Sequence, residues 1–141
     1  EKENAMAKVR VLAVLSLDGC LSEKKGDANW ALRPKGYGID KLFDTADDEL
    51  TSLYPTSRLA EDKSDSLFLI EATQETATYI NGLLRLQLVD EIIIYTVPFI
   101  AGTGQYLFKS NLPTSHWQLA DKKEYNGDIL CTIYRKRHIQ E

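Results

Sequence analysis

The sequence predicts an α/β fold, a mostly parallel central sheet with helices packed on it and an antiparallel hairpin at its C-terminal edge. Three observations predict it. Val9 to Ser16 is apolar on both faces, as strands in the middle of a covered sheet are. Leu67 to Val97 reads strand, helix, strand, a βαβ crossover that requires a parallel pair. Asn126-Gly127 lies between alternating segments and signals a hairpin, because both turn positions need a positive φ.

The elements follow in order. Val9, Val11, Ala13 and Leu15 share one face of the first strand and Leu12 and Val14 the other, before the Asp18-Gly19 turn. Ile39, Leu42, Phe43, Ala46, Leu50, Leu53 and Tyr54 fall on one stripe, which predicts an amphipathic helix over 39–54. Gly38 lies ahead of that helix, and Pro55 is expected to close it. Thr56 to Ser66 is polar and unpatterned, so it reads as a loop. Leu67–Ile70 is expected as a short strand, and a helix from about Glu75 to Leu88 carries Ala77, Ile80, Leu84 and Leu88 on one face. The β-branched run Ile92–Val97 reads as a strand ended by Pro98. Gly102-Thr103-Gly104 opens a loop. Ile129, Cys131 and Ile133 alternate beyond the hairpin turn. No repeat or linker divides the chain, so residues 1–141 are expected to form a single domain.

Composition narrows the function. The 141 residues are 43% hydrophobic and 27% charged, the balance of an ordinary globular protein. A net charge of −4 offers no basic footprint for nucleic acid or an anionic membrane. No apolar run is long enough to span a bilayer. Glu1 to Lys8 lacks the apolar stretch of a secretory leader. Two cysteines make no disulfide framework. A cytoplasmic location is expected.

Few residues carry chemistry by pattern. There is no Walker-type phosphate loop, nucleophile elbow or Cys-x-x-Cys pair. His116 and His138 lack metal-ligand spacing and read as surface residues, so no metal is expected. Cys20 has no patterned histidine to activate it and reads as a packed thiol. Gly102-Thr103-Gly104 starts like a dinucleotide fingerprint, but Leu107 stands where the third glycine belongs.

Two acids stand out. Asp18 and Glu71 each lie just past a predicted strand, where α/β folds bind ligands. A carboxylate there can hold a donor-rich heterocycle or a proton-transfer network. Spacing alone favours the plainer alternative, a turn former and a solvated strand end.

Several segments, taken together and in order, resemble the reductase domain of bifunctional riboflavin-biosynthesis deaminase-reductases, within the dihydrofolate-reductase-like class. Ser16-Leu17-Asp18-Gly19 is similar to that family's opening motif, and Trp30 stands where it often has a tryptophan. Leu69-Ile70-Glu71-Ala72 resembles its Val-Glu-Gly-Gly strand end, Leu86 to Ile92 its Leu-Val-Asp-Glu segment, and Pro98 to Phe108 its glycine loop. The likeness covers 9–30 and 67–134.

The resemblance implies a three-layer dihydrofolate-reductase-like fold and a homodimeric reductase. Such an enzyme transfers hydride from NADPH to a ribosylated pyrimidine or a related small heterocycle. It places Asp18 and Glu71 at the substrate as catalytic candidates. Trp30, the turn of Ala72, Thr73, Gln74, Glu75 and Thr76, and the loop of Gly102 and Gly104 would contact the cofactor. Trp117, Ile129 and Ile133 are the apolar material expected for the dimer. Dihydrofolate reductase proper fits the Ser-Leu-Asp-Gly and Leu-Val-Asp-Glu segments less well.

The chain also departs from the family. Ala72-Thr73 replaces the glycine pair that lets backbone approach phosphate. Glu75 would repel a pyrophosphate from the first turn of the helix. The stretch 31–66 is shorter than in the family and lacks the segments that hold the adenosine half of the cofactor. NADPH is therefore expected to bind weakly or not at all. The alternative to an active reductase is a degenerate member that keeps the fold and the dimer but binds a ligand or partner without hydride transfer.

Overall fold

In a computed structural model, residues 6–21, 37–109 and 111–137 are described. They form β1 (Lys8–Leu15), α1 (Ile39–Thr45), β2 (Asp48–Glu49), α2 (Thr56–Glu61), β3 (Leu67–Glu71), α3 (Ala77–Arg85), β4 (Glu91–Thr96), β5 (Trp117–Tyr125) and β6 (Ile129–Lys136). The sheet order is β2-β3-β1-β4-β6-β5. β1 lies between β3 and β4 and is parallel to both. β6 runs antiparallel to β4 and pairs with β5. The expected mostly parallel sheet with an antiparallel C-terminal hairpin is the observed one.

Alternation along β1 builds two cores. Val9, Val11, Ala13 and Leu15 join Phe68, Ile70, Ile80 and Leu83 on the α3 face. Leu12 and Val14 join Leu69, Ile93 and Tyr95 on the other face, against Ile39, Leu42 and Phe43 of α1. This is the three-layer arrangement that a doubly apolar central strand demands. The hairpin turns at Asn126 (φ 55°) and Gly127 (φ 75°), the left-handed pair that the dipeptide predicts. The Tyr95 hydroxyl donates to the Tyr37 carbonyl at 2.7 Å, so β4 holds the chain just ahead of α1.

The expectations for 39–66 and for 75–88 are corrected. The helix predicted over 39–54 ends at Thr45, and β2 follows it at the sheet edge. The stripe failed because its residues serve opposite faces: Leu42, Phe43 and Ala46 pack in one core, while Leu50 packs in the other. No single helix can do both. The chain crosses at β2, where Asp47 N–H donates to Leu67 O (2.7 Å) and Leu50 N–H to Leu69 O (2.8 Å). Leu53 is 90% exposed. Pro55 closes nothing; it is the N-cap of α2. That helix occupies part of 56–66, which was expected to be a loop, and Leu59 is its buried residue.

The second expected helix is shorter than 75–88. Gln87 adopts φ 60°, and Leu88 N–H reaches back to Leu83 O (2.9 Å) while Gln87 N–H meets Leu84 O (3.1 Å). This is a Schellman stop with glutamine in the position glycine usually takes.

Candidate functional site

Three connections meet the C-terminal ends of the parallel strands. They are the β1 turn (16–21), the β3–α3 turn (72–76) and the loop after β4 (98–106). The register sets their levels. Glu71 pairs with Leu12, whereas Leu15 pairs with Thr96. β3 therefore stops three residues short of the end of β1, about 10 Å lower at ~3.3 Å per residue. Asp18 lies beyond the higher end and Glu71 closes the lower one, so the two acids are not side by side.

Ser16 organises the β1 turn. Its buried hydroxyl donates to Asp18 Oδ1 (2.5 Å) and accepts from Cys20 N–H (3.0 Å). Asp18 then reaches across to the loop after β4. Oδ1 accepts from Ala101 N–H and Oδ2 from Gly102 N–H, each at 3.1 Å. Ser16 chiefly, and then the two amides, hold the Asp18 carboxyl down at about 2. Leu17 N–H to Phe99 O (2.7 Å) and Leu21 N–H to Gln105 O (2.8 Å) complete the seam. Gly102 (φ 80°) and Gly104 (φ 131°) take conformations that side chains resist. The far end of the loop is anchored by Asn81, buried in α3. Its amide donates to Leu107 O (2.7 Å) and its carbonyl accepts from Lys109 N–H (3.1 Å).

The β3–α3 turn is closed on itself. Thr73 Oγ1 accepts from the N–H groups of Glu75 (3.1 Å) and Thr76 (3.2 Å). Thr76 Oγ1 accepts from Thr73 N–H (2.8 Å) and donates to Glu71 O (2.7 Å). This is a reciprocal capping box made from two threonines. Ala77 N–H is taken by Thr73 O (2.9 Å) and Ala72 N–H by Leu12 O (2.7 Å). Ala72 and Thr73 are buried and Glu75 is exposed.

A pyrophosphate at a helix start needs unpaired N–H groups. At Thr73, Glu75, Thr76 and Ala77 they already have partners. The residues present do not fit a pyrophosphate at this turn.

Of the expected site residues, Asp18 and Gly102 are brought into contact. Glu71 is half-buried on the α1 side of the sheet, the face it shares with Leu12. Gly104 approaches Cys20, with the thiol 3.9 Å from where a Cβ would sit. Trp30 and His138 lie outside the described residues. His116 is exposed and Cys20 is buried. Among the described residues, no group of three His, Cys, Asp or Glu could hold a metal ion. No described helix is long and apolar enough to cross a membrane.

Ser16, Thr76 as a capping partner, and Asn81 were not expected. Ser-x-Asp and Thr-x-x-Thr spacings were legible as local bonding patterns. Nothing local marks an asparagine in mid-helix as an anchor for a loop more than twenty residues on.

No protein-family model matches the chain, and no curated protein matches it. Solved structures do. A structure assigned to riboflavin biosynthesis from Shewanella sp. PV-4 has a TM-score of 0.64 and 16% identity, covering 93% of this chain and 99% of that one. A diaminohydroxyphosphoribosylaminopyrimidine deaminase/5-amino-6-(5-phosphoribosylamino)uracil reductase from Thermotoga maritima has a TM-score of 0.59 and 11% identity. It is covered over 58% of its length by 96% of this chain. Dihydrofolate reductase from Enterococcus faecalis, solved with NADP(H), has a TM-score of 0.58 and 11% identity, covering 93% of this chain and 97% of that one. At these identities the likeness shows the fold, which is the dihydrofolate-reductase-like α/β architecture that riboflavin-biosynthesis reductases share.

Proposed function

We propose that this chain is a reductase-type domain that takes a small heterocyclic substrate at the strand ends and grips NADPH weakly or not at all. The fold supports the first half. Riboflavin-type reduction of a ribosylated pyrimidine is the activity to which the likeness points, with Asp18 and Glu71 nearest the proposed cleft. The observation that carries the second half is the closed Thr73–Thr76 box, whose amide donors are occupied from within. It also favours a second reading, in which the domain binds a ligand without hydride transfer.

Calorimetric titration with NADPH separates the two. A lost charge-assisted hydrogen bond costs about 1.5–3 kcal/mol, and ~1.4 kcal/mol is tenfold in affinity. Two such losses move a micromolar site towards the millimolar range. We expect a dissociation constant in that weak range. Low-micromolar binding would restore the ordinary reductase, and no binding to folded protein would select the second reading.

We further propose a cytoplasmic homodimer. The surface differs from the one first expected, because Ile129 is 2% exposed and part of the core. Ile133 packs against the α1-side core, whereas Trp117 packs on the α3 side. The apolar surface open to a second copy surrounds a cavity of about 340 Å³ among Leu84, Phe108, Leu112, Trp117 and Tyr134. A stable pair should bury more than ~1,000 Å². Light scattering at micromolar concentration tests it, and a monomeric mass removes it.

A further inference from the structure

We infer that Asp18 is a positioning residue, aimed by Ser16 and holding the Ala101–Gly102 backbone, rather than a group that binds substrate through both carboxylate oxygens. The inference rests on the proposed cleft only for its consequence, since the held loop forms one wall of it.

The argument is a count of acceptor sites. An ionised carboxylate offers about four lone-pair positions, two on each oxygen. Oδ1 is filled by the Ser16 hydroxyl and Ala101 N–H. Oδ2 takes Gly102 N–H. Among the described residues these three donors leave at most one position, on Oδ2. An amidine-like edge of a heterocycle presents two parallel donors and needs one free site on each oxygen. Asp18 cannot offer that without releasing the loop.

Ser16 makes the arrangement directional. Its hydroxyl sits between Cys20 N–H and Asp18 Oδ1, so the carboxylate is turned away from its own strand and towards the neighbouring loop. Leu17 N–H on Phe99 O and Leu21 N–H on Gln105 O bracket the contact on either side. The whole assembly is a latch between the turns that follow two adjacent parallel strands.

Amide hydrogen exchange on the full chain tests this without any ligand, so its outcome is independent of whether the cleft binds NADPH or a heterocycle. An asparagine at 18 can accept through one oxygen, but its NH₂ faces the other backbone donor. In Asp18→Asn, protection at Ala101 and Gly102 should fall by about tenfold or more, while amides in Ala77–Arg85 keep theirs. Ser16→Ala should act in the same direction with smaller effect. The double variant should match Asp18→Asn, because both act through one contact. Unchanged protection at Ala101 and Gly102 in Asp18→Asn would overturn the inference, as would additive effects in the double variant. Should Asp18→Asn fail to fold, Ser16→Ala decides: a loss of protection at Ala101 and Gly102, besides that at Cys20 whose acceptor it removes, supports the latch, and none at Ala101 and Gly102 overturns it.

Discussion

The two turns beside the proposed cleft solve the same problem in opposite ways. Each must satisfy backbone N–H groups exposed where a parallel strand stops. The β3–α3 turn does so locally, with Thr73 and Thr76 bonding to each other's amides. The β1 turn contributes its acceptor to a different segment, and Asp18 captures amides more than eighty residues away. A locally closed turn keeps its shape whatever its neighbours do, and its Thr73, Glu75, Thr76 and Ala77 amides are already taken. A turn that bonds outward fixes the shape of the cleft and makes that shape depend on one side chain. The difference teaches that a strand-end carboxylate and a helix start can stand where α/β sheets bind ligands while their hydrogen bonds serve the protein itself.

The largest effect should come from the anchor that the outward-bonding side needs at its far end. Asn81→Ala leaves Leu107 O and Lys109 N–H without their partner inside the fold. At about 1–3 kcal/mol per unsatisfied buried group, we expect a loss of roughly 2–4 kcal/mol in urea unfolding. A loss below roughly 1 kcal/mol would show that the loop is held by Asp18 and its neighbours alone.

Thr73→Ala tests the closed side. It removes the acceptor for two amides and should cost about 0.5–2 kcal/mol, the usual cost of losing a helix cap. It also frees the Glu75 N–H group, while Thr76 N–H keeps the Thr73 carbonyl, so NADPH should bind more tightly than to the wild type by calorimetry. Unchanged affinity would mean that Glu75 or the missing glycine pair, not the threonine box, excludes the phosphate.

The smallest effect is the response to acid. The folded Asp18 carboxyl titrates at about 2, below its ordinary value of 3.8. Its contribution is therefore present above about pH 4 and lost as pH falls towards 2. Exchange protection at Ala101 and Gly102, corrected for intrinsic rates, should hold from pH 7 to 4 and fade below that. The threonine box has no titrating group, so the Thr73 and Thr76 amides should show no such step. Loss of Ala101 protection already at pH 5 would contradict the latch.

Regions with one dominant period were legible and the rest were not. β1 and the β3–α3–β4 crossover appear where two-faced apolar runs and a 3.6-residue stripe put them. The 39–54 stripe misled because its spacing is blind to which side of the sheet each residue meets, and Leu42 and Leu50 meet different sides. α2 escaped notice because Leu59 alone is buried in its single short span. In the candidate site, Asp18 and Glu71 were found because acids past strand ends are conspicuous. The direction of their bonding was not in the pattern. Glu91, from the Leu-Val-Asp-Glu segment, shows the same limit. It bridges Arg10 (2.6 Å) and Arg135 (2.9 Å) where β1, β4 and β6 lie side by side, at the end of the sheet away from the proposed cleft.

What this sequence determines alone is whatever depends on neighbours in the chain. The doubly apolar β1, the Asn126-Gly127 turn and the Thr73–Thr76 spacing are of this kind, because a few residues contain both partners of each interaction. Only the tertiary structure decided that Leu50 crosses to the other core, that Asn81 holds the far loop, and that Asp18 faces Ala101 and Gly102. Those partners lie tens of residues away, and no local periodicity encodes which of two surfaces a side chain will meet once the sheet has formed.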